Sequence, residues 1–310
     1  MSSPRTPNTG DPVSWLVTGA AGQLGTDLQA VLARRRTDHP GDTVTALGRN
    51  RLDLTDEAQV RSVVREWLAG ATGRPVLLNA AAYTAVDAAE DDEATALLVN
   101  GAAPGWLAQE LAGHRGGTAR LVHVSTDYVF DGAGTAPYGV DDDPAPRTAY
   151  GRTKLAGERA VAAAGGDAVV VRTAWVYAAH GKNFVRTMLR LEAERDTVSV
   201  VADQTGSPTW SADLAAGLVA AALSPARGVL HATDTGATTW WGLARLVFSL
   251  AGADPDRVLS TTTDAFPSRA PRPAYSVLDP ASWTAAGLPA LPPWESSVRA
   301  CLAELGALRP

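Results

Sequence analysis

Cysteine is almost missing from this chain. Cys301 is the only one in 310 residues, so no intrachain disulfide can form and no thiolate metal centre can be assembled. The five histidines, His39, His114, His123, His180 and His231, fall in no H-x-H or H-E-x-x-H spacing, which removes the common zinc patterns. Lysine is nearly as scarce: Lys154 and Lys182 are the only two, and every other basic residue is arginine. No apolar run is long enough to span a bilayer, so no membrane role is expected. The polar opening, Met1–Pro12, reads as a flexible tail and not a signal peptide, which would need an apolar stretch there, and the cytoplasm is the expected location. A net charge of −6 without a dense basic stripe argues against nucleic acid as a partner. What remains, 45% hydrophobic and 19% charged, is the composition of an ordinary globular protein of one large or two moderate domains.

A chain that uses arginine wherever a generic positive charge will do makes each lysine informative. Lys154 stands four residues after Tyr150 in Tyr150-Gly-Arg-Thr-Lys154. On a helix, residues four apart share a face, so a phenol and an ammonium are expected side by side. The positive charge would favour the phenolate and bring the Tyr150 pKa down towards neutrality. That is what a general acid needs to hand a proton to a developing alkoxide. Two solvated residues meeting by accident is the bland alternative. The rarity of lysine weighs against it.

Elsewhere the chain alternates strands and helices. Val13–Thr18 is a short apolar strand, followed at once by Gly19-Ala-Ala-Gly22-Gln-Leu-Gly25 and a helix from Thr26. In that context the glycines let backbone approach a pyrophosphate, and the helix N-terminus offers N–H groups to it. The spacing is G-x-x-G-x-x-G, not the common G-x-G-x-x-G. A second strand, Thr43–Leu47, ends in Gly48-Arg49-Asn50-Arg51 with no acid to bond a ribose 2′-hydroxyl, which tilts the expected cofactor to NADPH, with NADH the alternative. Further strands are expected at 75–79, 120–125 and 168–173, and helices at 57–68 and 94–111. After Trp175 the alternation loosens, with helices at 184–194, 212–223 and 240–251, a strand at 197–201, a Pro-rich stretch from 266 to 293, and a last helix at 295–308. The fold class is therefore α/β, a doubly wound parallel sheet in residues 13–175. Elements of 197–232 return to it, and residues 176–310 build a smaller, partly interleaved substrate domain. The site belongs in the cleft between them.

These motifs resemble the extended short-chain dehydrogenase/reductases, and more closely the dTDP-4-dehydrorhamnose reductase family. The likeness rests on Gly22-Gln-Leu-Gly25, Asn79-Ala-Ala-Ala with Thr84-Ala-Val-Asp87, Ser125-Thr-Asp-Tyr-Val-Phe-Asp-Gly132, Tyr150–Glu158 and Arg172-Thr-Ala-Trp-Val-Tyr177. It implies hydride transfer from NAD(P)H to the C4 ketone of a dTDP-6-deoxy-4-ketohexose. By that resemblance Tyr150 donates the proton, Lys154 holds the nicotinamide ribose and tunes Tyr150, and Thr126 bonds the reacting oxygen. Gly19, Gly22, Gln23, Leu24 and Gly25 would carry the pyrophosphate, with Arg49, Asp53 and Leu54 at the adenosine end and Ala81, Ala82 and Tyr83 along the cofactor. Asp127, Trp175 and Lys182 would line the sugar pocket, and Arg272 would meet the substrate diphosphate. The family also implies a homodimer bridged by Mg²⁺ on acidic side chains, which here fall at Asp27, Glu194 and Glu304.

Other readings compete. A sugar-nucleotide 4,6-dehydratase would share Tyr and Lys but typically carries Thr-Asp-Glu where this chain has Thr126-Asp127-Tyr128. An epimerase would hold NAD tightly. A non-catalytic, dinucleotide-binding regulatory subunit would not need Tyr150, Lys154 and Thr126 together. Among the reductases, a dTDP-dihydrostreptose-type synthase stands beside the rhamnose enzyme.

Overall fold

The apolar runs of the first half are the strands of one parallel sheet. In the computed structural model, which describes residues 11–309, β1 (Val13–Thr18), β2 (Thr43–Leu47), β3 (Arg74–Asn79), β4 (Arg120–Thr126) and β5 (Asp167–Thr173) pair with a sixth strand, Gly228–His231. The order across the sheet is Gly228–His231, β5, β4, β3, β1, β2. The winding reverses between β1 and β3, and the crevice at the carboxyl ends of such strands is where open parallel sheets take ligands. Residues 1–10, most of the expected tail, lie outside the described residues.

Side chains alternate between two covered faces. On one face, helix α1 (Gln23–Asp38) and the helix Ser211–Leu223 pack Leu28, Leu32, Leu214 and Leu218 against Trp15, Val17 and Val76. On the other, α2 (Glu57–Ala69) and the helix Ala103–Ala112 bring Val60, Val64, Leu107 and Leu111 onto Leu16, Leu77 and Leu121. A separate core forms where helices Phe184–Glu194, Trp240–Leu250 and Trp294–Glu304 bury Val185, Met188, Leu243, Val247, Val298 and Leu302.

One expectation is narrowed and another needs correction. Within 197–232 only Ser211–Leu223 and Gly228–His231 join the main sheet; the strand Val198–Val201 instead pairs in parallel with Val258–Thr261. Its buried position, Val200, belongs to the second core, which is why it stays there. The single helix expected at 94–111 is in fact Glu93–Leu97, a π-helical stretch Leu98–Ala102, and Ala103–Ala112. Asn100 sits in the π segment with its side chain turned inward. It accepts the Tyr83 N–H at 2.8 Å and donates to the Tyr83 carbonyl at 3.1 Å and the Thr153 hydroxyl at 3.2 Å. One buried amide thus ties the turn after β3 to the Tyr150 helix, and a π segment at such a position is a common device.

Where the second core meets the helix Ser211–Leu223, Asp234 is fully buried. Its Oδ2 accepts the Trp210 N–H at 2.9 Å while Oδ1 has no partner. Burial, opposed by the Trp210 N–H and reinforced by the Asp213 charge, pushes this carboxyl up to about 8. A carboxyl protonated in the fold but ionised in the unfolded chain makes stability fall as pH rises from about 4, its unfolded pKa, to the folded value. Asp234→Asn keeps the acceptor for Trp210 and removes the titration. Its Tm is expected to exceed that of the unsubstituted protein by a margin that widens between about pH 5 and about pH 8. A margin independent of pH in thermal melts would show that Asp234 does not titrate this way.

Candidate active site

β1 ends at Thr18 and the chain turns through Gly19 and Gly22 into α1. Gly19 has φ +68°, and a Cβ there would lie 2.7 Å from the Ala81 backbone; a Cβ on Gly25 would lie 2.1 Å from the Gly19 carbonyl oxygen. The first glycine is thus required by backbone conformation and the second by close approach. The first turn of α1 has no side-chain cap and no acid, which leaves its N–H groups and positive dipole end open to an anion.

A cavity of about 840 Å³ opens in front of this turn. One wall is Gly19, Gly22, Gln23 and Leu24, continuing through Arg49, Asp53 and Leu54 beyond β2 and Ala81, Ala82 and Tyr83 beyond β3. The other wall carries Thr126, Asp127, Tyr150, Lys154, Trp175 and Lys182. Gly25 is behind the turn, packed on Gly19 and Ala20. Small side chains at Ala80, Ala81 and Ala82 leave a flat floor. The shape, the uncapped helix end and the glycine turn fit a dinucleotide.

The Tyr150 helix, Ala149–Ala164, is capped by the Thr148 hydroxyl, which accepts the Gly151 N–H at 3.0 Å. Tyr150 and Lys154 share its inner face, but the expected electrostatics is not what the structure shows. Lys154 Nζ donates to the Val124 carbonyl at 2.6 Å and sits 3.5 Å from His123 Nε2. Burial, opposed by Glu158, brings Lys154 down to about 8. Burial pushes Tyr150 above the usual phenol range, with Thr126 pulling the other way and the Asp127 charge adding to the rise. The protein alone therefore keeps the phenol protonated, because desolvation of the half-buried ring outweighs its one hydroxyl partner and the dry ammonium is engaged elsewhere.

Beside Tyr150, the Thr126 hydroxyl donates to Asp127 Oδ1 at 2.8 Å. Asp127 is buried with Oδ2 unpartnered, and burial, opposed by the Ser276 and Thr126 hydroxyls, lifts it to about 6. Trp175 has φ +48°, a left-handed conformation rare for a bulky residue, and stacks on Trp240 at 3.6 Å with 5° between the planes. Behind the stack, Gly206 leaves no room for more: a Cβ there would lie 2.4 Å from the Trp175 ring. Lys182 follows Gly181 at the cavity rim, next to Asn183, whose Nδ2 donates to Gln23 Oε1 at 2.9 Å.

Arg272 lies outside the main cavity. Its guanidinium pairs with Asp87, and it lines a second cavity of about 330 Å³ with Gln204, Phe266 and Trp240. Trp240 lines both cavities. The acids expected to hold Mg²⁺ do not gather. Asp27 takes His180 Nε2 at 3.1 Å and the Ser211 hydroxyl, Glu194 pairs with Arg190 on its own helix, and no metal-sized group of three such side chains exists among the described residues. Asp27 and Glu194 are thus engaged by neighbours while Glu304 is exposed, and the described residues of one chain assemble no Mg²⁺ set from the three.

Several site residues escaped the sequence reading. Glu158 receives Arg172 at 2.7 Å and the Ser125 hydroxyl at 2.5 Å, all three buried. The signal was there, since Glu158 falls four residues past Lys154. Asn79 stood in a recognised motif without a role of its own, and His123 and Trp240 gave no signal, because nothing local marks a strand histidine or a helix-start tryptophan as facing a site.

Comparison with known proteins agrees with this geometry. The sequence model of the RmlD substrate binding domain family matches residues 13–307. A dTDP-4-dehydrorhamnose reductase of Streptomyces griseus is 53% identical over 292 residues, covering 92% of this chain and 91% of that protein. A probable dTDP-4,6-dihydroxy-2-methyloxan-3-one 4-ketoreductase of Streptomyces antibioticus is 49% identical, covering 92% and 93%. Among solved structures, a dTDP-4-dehydrorhamnose reductase from Bacillus anthracis in complex with NADP superposes with a TM-score of 0.86 at 35% identity, covering 94% of this chain and 99% of that one.

The Trp175 stack can be tested without any ligand. Gly206→Ala is expected to drive the Trp175 ring off Trp240, at a cost in stability of about 1–3 kcal/mol from overpacking. The exciton signal of the stacked pair in circular dichroism should disappear while the fold persists. A retained signal would mean that Gly206 does not hold Trp175 in place.

Proposed function

The chain belongs to the RmlD substrate binding domain family, and on that premise we propose that it reduces the C4 ketone of a dTDP-6-deoxy-4-ketohexose, of the dTDP-4-dehydrorhamnose type, using NADPH. The observation that carries this reading is the convergence of Tyr150, Lys154 and Thr126 on one cavity with the glycine turn and the open end of α1. NADPH, when bound, supplies the hydride. The protein must supply the proton and stabilise the oxyanion as it forms.

Tyr150 enters the reaction protonated, since burial keeps its phenol neutral, and its hydroxyl is the donor to the alkoxide oxygen. Thr126 offers a second hydroxyl to the same oxygen. Lys154 reaches the cavity from the Tyr150 helix to bond ribose hydroxyls and to stabilise the phenolate left behind. Arg49, on the wall beyond β2 where no acid stands, takes the 2′-phosphate. Trp175, Asp127 and Lys182 border the sugar. The diphosphate and base run past Trp240 towards the second cavity, where Arg272 and Phe266 await a phosphate and a flat ring.

Tyr150→Phe is expected to lower kcat by about 10²-fold or more with little change in NADPH affinity. Near-normal turnover would remove Tyr150 from the donor role. Arg49→Ala is expected to lower kcat/KM with NADPH about tenfold more than with NADH, the loss of one charged phosphate contact. Equal losses for both cofactors would move the 2′-phosphate site elsewhere. Purified enzyme given a panel of dTDP-4-keto sugars tests the substrate, and turnover of none would overturn the reading.

A further inference from the structure

A chain of buried polar groups runs behind Lys154, and its hydrogen bonds fix their own direction. Asn79 Oδ1 accepts the Thr18 hydroxyl at 2.6 Å and the Ala81 backbone N–H at 3.3 Å. The Ala81 group can only donate, so the amide cannot be turned round. Asn79 Nδ2 therefore faces His123 Nδ1, at 2.9 Å, and Nδ1 must be the acceptor. In a neutral imidazole the proton then rests on Nε2. Nε2 faces Lys154 Nζ at 3.5 Å.

The consequence is an unusual neighbour for a lysine. An ammonium carries three donors and no acceptor capacity. Here Val124 O accepts one of them at 2.6 Å, while the next nearest partner on the strand side presents an N–H instead of a lone pair. Neutral amine and Nε2–H are complementary; ammonium and Nε2–H oppose each other. His123 and Lys154 are both buried, so water does not soften the contact. The other charged or titratable groups around Lys154 are Glu158 and Tyr150 on its own helix, Arg172 on β5 and Asp127 beyond β4. Glu158 is bonded to Arg172 at 2.7 Å and to the Ser125 hydroxyl, which leaves it only a distant pull on the ammonium.

We propose that His123 is a positioning residue for Lys154. Locked by Asn79 as the Nε2–H tautomer, it biases the ligand-free lysine towards the neutral amine. The lysine charges when hydroxyl acceptors enter the cavity. This rests on the ketoreductase reading for its catalytic meaning, whereas the tautomer itself does not.

The effect on rate follows with a definite sign. Activity needs charged Lys154, so it falls as pH rises through the Lys154 pKa, and a neighbour that disfavours the ammonium brings that fall to lower pH. His123→Asn keeps an acceptor for Asn79 Nδ2 and withdraws the ring N–H from Lys154. Asn79→Asp holds the ring from the other side, forcing the proton onto Nδ1 and turning the Nε2 lone pair to Lys154. Both are expected to move the basic limb of kcat/KM upward by about one pH unit, a displacement that mere loosening of the core would not give. The direct readout is the ¹⁵N spectrum of the ligand-free protein, with the His123 signals assigned by their loss in His123→Asn. A bare Nδ1 and a protonated Nε2 are expected, with the reverse in Asn79→Asp. A protonated Nδ1 in the unsubstituted protein, or a basic limb unmoved in both folded variants, would overturn the proposal. If the unsubstituted protein turns over no dTDP-4-keto sugar, the functional reading fails and the nitrogen spectrum alone decides the tautomer.

Discussion

The buried ion pair between Glu158 and Arg172 sets the position of everything that could react. Glu158 is on the Tyr150 helix, Arg172 is in β5, and Ser125 at the end of β4 adds its hydroxyl, so one carboxylate spans a helix and two strands. Arg172 is held from its other side by the Phe130 ring, 5.0 Å from the guanidinium. Burying such a pair gains little net stability, but removing one partner costs about 3–5 kcal/mol because the other is left charged and dry. What the pair supplies is register. Tyr150, Lys154 and Glu158 are four residues apart on one face, so fixing the last fixes the rotation of the helix and aims the first two into the cavity. The close approach of Gly157 to Asn100, where a Cβ would lie 2.1 Å from the carbonyl oxygen, fixes the helix from the opposite side.

The second core does for the sugar side what this pair does for the cofactor side. Trp240 opens a helix whose Thr239 cap accepts the Gly242 N–H at 3.0 Å, and it stacks on a Trp175 held in a left-handed conformation. A strained backbone persists only where its surroundings over-determine it. Here the ring is trapped between Trp240 and the space vacated at Gly206. Asn183 caps the helix Phe184–Glu194 and also reaches Gln23 in the glycine turn, so the two sides of the cleft share a side-chain contact.

Much of this was legible in the sequence, and the parts that were not share a cause. Strand periodicity, the glycine spacing and the Tyr150–Lys154 interval depend on residues close in sequence, so they could be read directly. The π segment at Asn100, the pairing of Val198–Val201 with Val258–Thr261, and Arg272 meeting Asp87 all depend on partners 17 to 185 residues away. The electrostatics of Tyr150 was misjudged for a related reason. Spacing brings a charge near a phenol, but only the fold shows that the charge is spent on Val124 and that burial dominates.

The scarcity of lysine has its explanation at the same point. Arginine would satisfy a buried carbonyl as well as lysine does, and this chain prefers arginine almost everywhere. A guanidinium, however, cannot give up its proton in a protein. Position 154 is dry, and its one strong partner is the neutral Val124 carbonyl, because Glu158 is bound to Arg172 and Ser125. A permanent cation there would bear its full desolvation cost whenever the cavity is empty. A lysine brought down to about 8 by burial can release its proton as pH rises past that value, and hold it more firmly when acceptors arrive. A residue that the composition made conspicuous thus stands at a buried place beside the cavity where a positive charge can be conditional.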